Sequence, residues 1–287
     1  MKPAPFRWHG PTSVAQAVAL LAEHGSAAKV LAGGQSLVPV MAMRLVSPAH
    51  LVDINGIAGL DGITHDGRGT RIGALARHTR VLADADLARN QPLVAQGLSH
   101  VAHATIRNRG TTLGSIVHAD PAGEMTAVLA LTGGTVTAVS ATGTREIAAA
   151  DFFLGPLESA LRPDELAVQA TFPDLPTGAG TAFVEVSRRS GDYALCGVGA
   201  VVQADPDRPD GPPRVRCAYL SVADIPVVLD LTGAWASGEA DVVAQVHATL
   251  DPPADLHASS AYRRQLAGVL TVRVIRQARA SMAAVAA

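Results

Sequence analysis

Two short glycine-bearing stretches hold the groups best suited to chemistry in this 287-residue chain. The first, Ala32-Gly33-Gly34-Gln35-Ser36-Leu37, follows a stretch that reads as a strand (Ala28 to Leu31) and leads into one that reads as a helix (Leu37 to Leu45). Adjacent glycines let the backbone approach a ligand closely, and their N–H groups with the Ser36 hydroxyl suit an anionic phosphate. The same residues also make an ordinary strand-to-helix turn. The second stretch, Thr105 to Ser115, is polar and glycine-bearing yet lies between apolar segments, so it is expected to be a loop. Thr111, Thr112, Ser115 and the backbone from Gly110 offer donors there, with a polar surface turn as the competing reading. A pair of such turns suits a dinucleotide diphosphate, which needs donors on more than one side.

Other chemistries are absent from the pattern. There is no G-x-x-x-x-G-K-[ST], no G-x-G-x-x-G after a strand, no H-E-x-x-H and no G-x-S-x-G. The two cysteines, Cys196 and Cys217, are too few for a disulfide scaffold, a four-cysteine zinc site or an iron–sulfur cluster held by thiolates. Redox chemistry in this chain would therefore need a bound cofactor. With 48% hydrophobic and 17% charged residues the composition is that of a folded protein. A net charge of -2 gives no electrostatic footprint for nucleic acid, and 3% aromatic residues leave few rings to stack on bases. The N-terminus has no apolar signal-like region and no apolar run reaches membrane-spanning length, so a soluble cytoplasmic protein is expected.

The elements that must position the two turns follow from periodicity. Thr12 to His24 reads as a helix capped by Thr12 or Ser13 and closed by Gly25, and His50–Ile54 and Arg71–Leu75 read as strands. Thr79–Leu87 and Pro92–Ala102 read as helices, Ala122–Leu131 as a buried helix, and Thr135–Val139 and Glu165–Phe172 as strands. Pro173 to Gly180 is the linker candidate. Beyond it the spacing predicts strands at Thr181–Ser187, Ala194–Ala204, Arg214–Ala223 and Pro226–Leu231, then helices at Gly238–Thr249 and Ser259–Ala284. The pattern is α+β in two domains, with a boundary near residue 176.

Taken in order, the two turns, His118-Ala119-Asp120-Pro121-Ala122-Gly123-Glu124, Phe152-Phe153-x-Gly155, Leu161-Arg162-Pro163-Asp164-Glu165-Leu166, Glu185 to Ala194 and Ala261-Tyr262-Arg263-Arg264 resemble the FAD-binding medium subunit of molybdenum hydroxylases. These are the carbon-monoxide dehydrogenase and xanthine dehydrogenase relatives, and the resemblance runs over essentially the whole chain. It implies a two-part N-terminal FAD-binding domain of the vanillyl-alcohol-oxidase (PCMH) type, residues 1–176 with subdomains of about 1–56 and 57–176. A C-terminal sheet-and-helices domain, 177–287, would follow. It also implies that Gly33, Gly34, Gln35 and Ser36, between Ala32 and Leu37, hold the FAD diphosphate from one side, and Thr111, Gly114 and Ser115 from the other. Glu124 would hydrogen-bond the ribose, Leu161 would lie over the adenine or flavin, and Tyr193, after Asp192, would approach the isoalloxazine ring. Ala102 and Ile106 complete the implied cofactor-binding positions; no catalytic side chain and no metal ligand is implied.

The resemblance implies that the chain is the electron-transfer subunit of a heteromeric enzyme, a heterohexamer with molybdopterin on a large partner and [2Fe–2S] on a small one. A stand-alone FAD-dependent dehydrogenase or oxidase, and a flavin-binding module without turnover, are the rival readings. Gln35 stands where covalent relatives carry a histidine, so the FAD is expected to be non-covalent. Leu113 stands where relatives place the first of two glycines, which would alter the diphosphate grip. His100 and His103, with His118 and Asp120 nearby, form a weak alternative metal set; His9, His65 and His78 read as surface or loop histidines and Cys196 as a core residue. Arg188-Arg189 reads equally as a phosphate or partner site and as a solvated strand end.

Overall fold

Three sheets, each backed by helices, take up the chain in order in the computed structural model, which describes residues 2–208 and 210–285. β1 (Arg7–His9), α1 (Val14–His24), β2 (Ala28–Leu31), α2 (Leu37–Ala42) and β3 (His50–Asp53) build a parallel sheet in the order β1-β3-β2, with α1 packed on β3. The Ser13 hydroxyl accepts the Gln16 N–H at 3.2 Å and starts α1, and Gly25 ends it.

β4 (Ile63–His65) and β5 (Gly69–Gly73) open the second sheet. The helices α3 (His78–Leu82), α4 (Ala85–Asn90), α5 (Pro92–His100), α6 (Ala104–Arg107), α7 (Thr112–His118) and α8 (Glu124–Thr132) follow. Then come β6 (Thr135–Ser140), β7 (Gly143–Ala148), α9 (Ala149–Phe152), the small hairpin β8 (Phe153–Gly155) and β9 (Glu158–Ser159), and β10 (Leu166–Pro173). The sheet is antiparallel, β4-β5-β10-β6-β7, with β10 at its centre.

The third sheet is an antiparallel meander of β11 (Gly180–Ser187), β12 (Ala194–Gln203), β13 (Arg214–Leu220) and β14 (Val227–Asp230), followed by α10 (Thr232–Ser237), α11 (Glu239–Thr249) and α12 (Ser260–Val285). Phe183, Val201, Ala218 and Leu220 on one face join the core of the first two sheets, through α5 and α8. Val198, Val202, Cys217 and Tyr219 on the other face meet α11 and α12. Covered on both sides, β12 reads as a continuous apolar run without alternation. α8 is likewise buried nearly all round, which explains its lack of a polar face. Cys196 is a buried free thiol, as expected.

The differences from the sequence reading are local. Thr79–Leu87 is two helices, because the Asp84 carboxylate accepts the Leu87 N–H at 2.8 Å and restarts the chain as α4. Thr105–Ser115 is mostly helical: it spans α6 and the first turns of α7, and only the residues between them turn. β1, β4, β7 and α10 are additional short elements. Among the described residues no helix is long and apolar enough to cross a membrane. Phe172 lies in the centre strand and is fully buried. Phe172→Ala is expected to cost about 3–5 kcal/mol, read as a lowered urea midpoint.

Candidate functional site

The first glycine stretch leaves β2 and enters α2, and Gly34 makes the bend at φ 72. The Val38 N–H donates to the Gly34 carbonyl at 3.1 Å, and the Gln35 side-chain amide donates back to the Gly33 carbonyl at 2.9 Å. The N–H groups of Gly33, Gly34, Gln35 and Ser36 meet no protein acceptor among the described residues. Residues 32–37 are all half-buried.

In the second stretch Thr111 caps α7: its hydroxyl accepts the Gly114 N–H at 3.1 Å. A Cβ at Gly114 would sit 2.5 Å from that hydroxyl, so glycine here serves the cap. Thr111, Thr112 and Leu113 face inward and are buried, whereas Gly114 is exposed and Ser115 half-exposed. Leu113 therefore belongs to the core, in ordinary helical backbone, and its side chain does not obstruct the outer face of the turn.

The two stretches touch. A Cβ on Gly33 would lie 2.6 Å from the Arg109 carbonyl oxygen, 2.8 Å from Gly110 Cα and 3.1 Å from the Thr111 nitrogen. Arg77, which sequence reasoning passed over, clamps them. Its guanidinium donates to the Arg109 carbonyl and, at 2.6 Å, to the Asn55 side-chain oxygen, while Asn55 Nδ2 donates to the Ala32 carbonyl at 2.9 Å. The acceptors are largely main-chain carbonyls, which leave no mark in a sequence. The clamp is completed by backbone bonds from His78 N to the Gly110 carbonyl, 3.0 Å, and from Thr112 N to the Ala76 carbonyl, 3.2 Å. His78 is thus buried rather than a surface histidine, because Gly110 leaves room for its ring, and burial pushes it down to about 4.

Ala102, just before α6, and Gly191, next to Asp192 and Tyr193 in sequence, line a neighbouring cleft. Ala102 adopts φ 45, and its carbonyl accepts from Arg107 Nη1 at 2.8 Å; Ile106 is half-buried one turn along α6. Across from them lies the β11–β12 hairpin, whose Gly191 has no room for a side chain against the His103 ring. Between them is a cleft of about 270 Å³ lined by Ala102, His103, Arg107, Glu185 and Gly191 among others. Asp192 and Tyr193 are exposed at the hairpin tip; neighbouring Asp120 and Glu124 add to partial desolvation in pushing the Tyr193 hydroxyl up to about 12. Arg263, from α12, holds the base of this hairpin by donating to the Leu195 and Ser221 carbonyls at 2.6 and 2.9 Å. Arg188 and Arg189 are exposed, Arg188 hydrogen-bonded to His257.

Leu161 is half-buried on the core of the second sheet, and no hydrogen bond ties it to either glycine turn. Its segment is pinned on both sides: Arg145 donates to the Ala160 carbonyl at 2.8 Å, and the Arg162 N–H donates to Glu165 Oε2 at 2.7 Å. The Arg145 guanidinium bonded to the buried Glu165 carboxylate holds that carboxyl below the usual range.

Glu124 opens α8, buried where the second and third sheets meet. Burial first, then the nearby Glu185, pushes its carboxyl up to about 8. Glu185 pairs with His100 at 3.6 Å and raises the pKa of that imidazole; its second oxygen is buried without a partner. His103 packs on the hairpin and His118 lies 3.9 Å from Asp120, so the four residues of the alternative metal set are each engaged separately. Glu124 binds a proton in the native state that the unfolded chain releases above about pH 4.5, so its share of stability falls as pH rises toward 8. In Glu124→Gln that dependence is expected to flatten by about 4 kcal/mol between those limits, measured by denaturation of the flavin-free chain at a series of pH values.

Residues 4–175 match the family described as the FAD binding domain in molybdopterin dehydrogenase, and residues 181–278 the CO dehydrogenase flavoprotein C-terminal domain. The chain is 36% identical to the 6-hydroxypseudooxynicotine dehydrogenase complex subunit alpha of Paenarthrobacter nicotinovorans, over 97% of this chain and 96% of that one. It is 37% identical to the nicotine 6-hydroxylase medium subunit of the same organism, over 97% and 99%. Among solved structures it superposes on a chain of reconstituted CO dehydrogenase from Oligotropha carboxidovorans with a TM-score of 0.91 at 32% identity, covering 98% of this chain and 100% of that one. With both domain families matched in order, the chain belongs to the FAD-binding medium subunits of the molybdenum hydroxylases, of the carbon-monoxide dehydrogenase type.

Proposed function

We propose that this chain carries electrons from a [2Fe–2S] partner through non-covalent FAD to an external acceptor, beside a molybdopterin-binding partner. The observation that supports it most directly is the contact between the two turns, beside which the four N–H groups from Gly33 to Ser36 meet no protein acceptor among the described residues. Gly33, Gly34, Gln35 and Ser36 would hold the diphosphate from one side. On the other, Gly114 and Ser115 offer the outer face, and Thr111 shapes the turn through its cap. Ala32 and Leu37 bracket the first turn. Glu124, protonated at neutral pH, suits a hydrogen bond to a ribose hydroxyl, and Leu161 offers an apolar face to a ring. Ala102, Ile106, Asp192 and Tyr193 would position the isoalloxazine edge at the hairpin cleft. Bound there, FAD supplies the redox chemistry, and the protein supplies orientation and electrostatics.

The domain reading accompanies this proposal: residues 1–176 as the two-part flavin domain, divided near residue 56, and 177–287 as the C-terminal domain. Leu113 lies in the core and gives a stand-alone oxidase no support. The partner arrangement is tested by native purification: flavin, molybdenum and iron should co-purify with two further chains. A yellow homomer that oxidises a small molecule unaided would overturn the proposal.

Two further outcomes bear on the turns. Gly33→Ala forces Arg109–Thr111 away from the first turn, so FAD affinity is expected to fall at least tenfold, about 1.4 kcal/mol, in a fluorescence titration. Gln35 cannot bond covalently to a flavin, so acid precipitation should release all the yellow colour into the supernatant.

A further inference from the structure

The parallel sheet carries a cluster that flavin binding does not use. His9 ends β1, His24 ends α1 and His50 opens β3. In the parallel register Arg7 lies opposite His50, which puts His9 two residues along the same sheet face. α1 packs over β3 and delivers His24 to that face. The His24 and His50 rings stack at 3.7 Å between centroids, and His9 completes the group with centroids 5.2 and 5.3 Å from theirs. None of the three is an isolated surface histidine; all are half-buried.

The donor atoms favour a cation over packing alone. One nitrogen from each ring lies within 4.8 Å of the others. His9 Nε2 and His50 Nδ1 are 2.9 Å apart, and among the described residues the His24 ring makes no hydrogen bond, its nearest carboxylate oxygen being Glu23 Oε1 at 3.8 Å. Tetrahedral zinc with bonds of about 2.0–2.1 Å sets its ligand nitrogens about 3.4 Å apart. An ion seated there would replace the His9–His50 hydrogen bond and draw the three nitrogens to that spacing. The one other cluster of this kind among the described residues, His65, Asp84 and Asp86, is already spent: His65 bonds Thr70 and Asp84, Asp84 caps α4, and Asp86 pairs with Arg89.

We propose that His9, His24 and His50 bind a borderline divalent cation such as Zn²⁺, with water or the Glu23 carboxylate in the fourth position. Imidazole donors and an open fourth site select zinc-like ions over magnesium or calcium, which prefer oxygen. The ion would tie the start of the chain and the end of α1 to the middle strand of the sheet whose edge strand leads into the first glycine turn.

The test is calorimetric titration of the untagged, chelator-stripped full-length chain with ZnCl₂. One equivalent is expected to bind, with Tm raised by roughly 3–6 °C at saturation. His24→Asn and His50→Asn should each weaken binding at least tenfold and abolish the Tm shift, while His257→Asn binds as the unsubstituted chain does. His24→Asn lies at a helix end, so it tests the site if His50→Asn fails to fold. Uptake below half an equivalent, or unchanged affinity in His24→Asn, would overturn the proposal, and neither outcome touches the flavin reading.

Discussion

The site depends on one close approach: the Gly33 backbone lies directly against Arg109, Gly110 and Thr111, with no space for a side chain between. Because the first turn leaves the parallel sheet and the second joins helices α6 and α7, something must hold them in register, and Arg77 does so through Asn55 and two main-chain carbonyls. Half-burying a guanidinium beside Arg109 lowers its pKa and carries a desolvation cost, which these charge-assisted bonds offset. The turns are thereby set before any ligand arrives, so binding there would not have to supply the entropy of ordering them.

A second constraint joins the helices of the second sheet to the third sheet. His100, Glu185 and Glu124 meet in the interface between α5, α8 and β11, where burial, with nearby Glu185 adding to it, keeps Glu124 protonated. Separating the packed elements would rehydrate Glu124 and return it to an ionised carboxylate, so its protonated state depends on this packing. Arg263 at the base of the β11–β12 hairpin extends the same logic, fixing Leu195 and Ser221 so that only the Asp192–Tyr193 tip stays exposed.

Much of the fold was legible because its signals are local. Ser13, Gly25 and Pro92 mark helix ends by backbone chemistry, and the strands β11 to β14 stand out as apolar runs separated by Pro, Asp and Gly. The misreadings fall where an element is too short for a period to show. α6 has four residues, so Thr105–Ser115 read as a loop, and β1 and β4 have three each. β7 is mostly exposed and lacks the alternation that a buried face imposes. Of the candidate site, both glycine turns were visible; Leu161 was visible too, but among the described residues no hydrogen bond ties it to either turn.

Residue type and order alone determined the two phosphate-suited turns, the need for a borrowed cofactor, the α+β pattern and, through the shared order of motifs, the family. Those follow from backbone freedom at glycine, missing cysteines and hydrophobic spacing, all properties of neighbouring residues. Only the tertiary structure decided that Leu113 faces the core, that His78 is buried, that Arg77 and Asn55 join the turns, and that His9, His24 and His50 meet. Each of these rests on a contact between residues distant in the chain, often with a main-chain carbonyl or a glycine on one side, and neither leaves a side-chain signature to read.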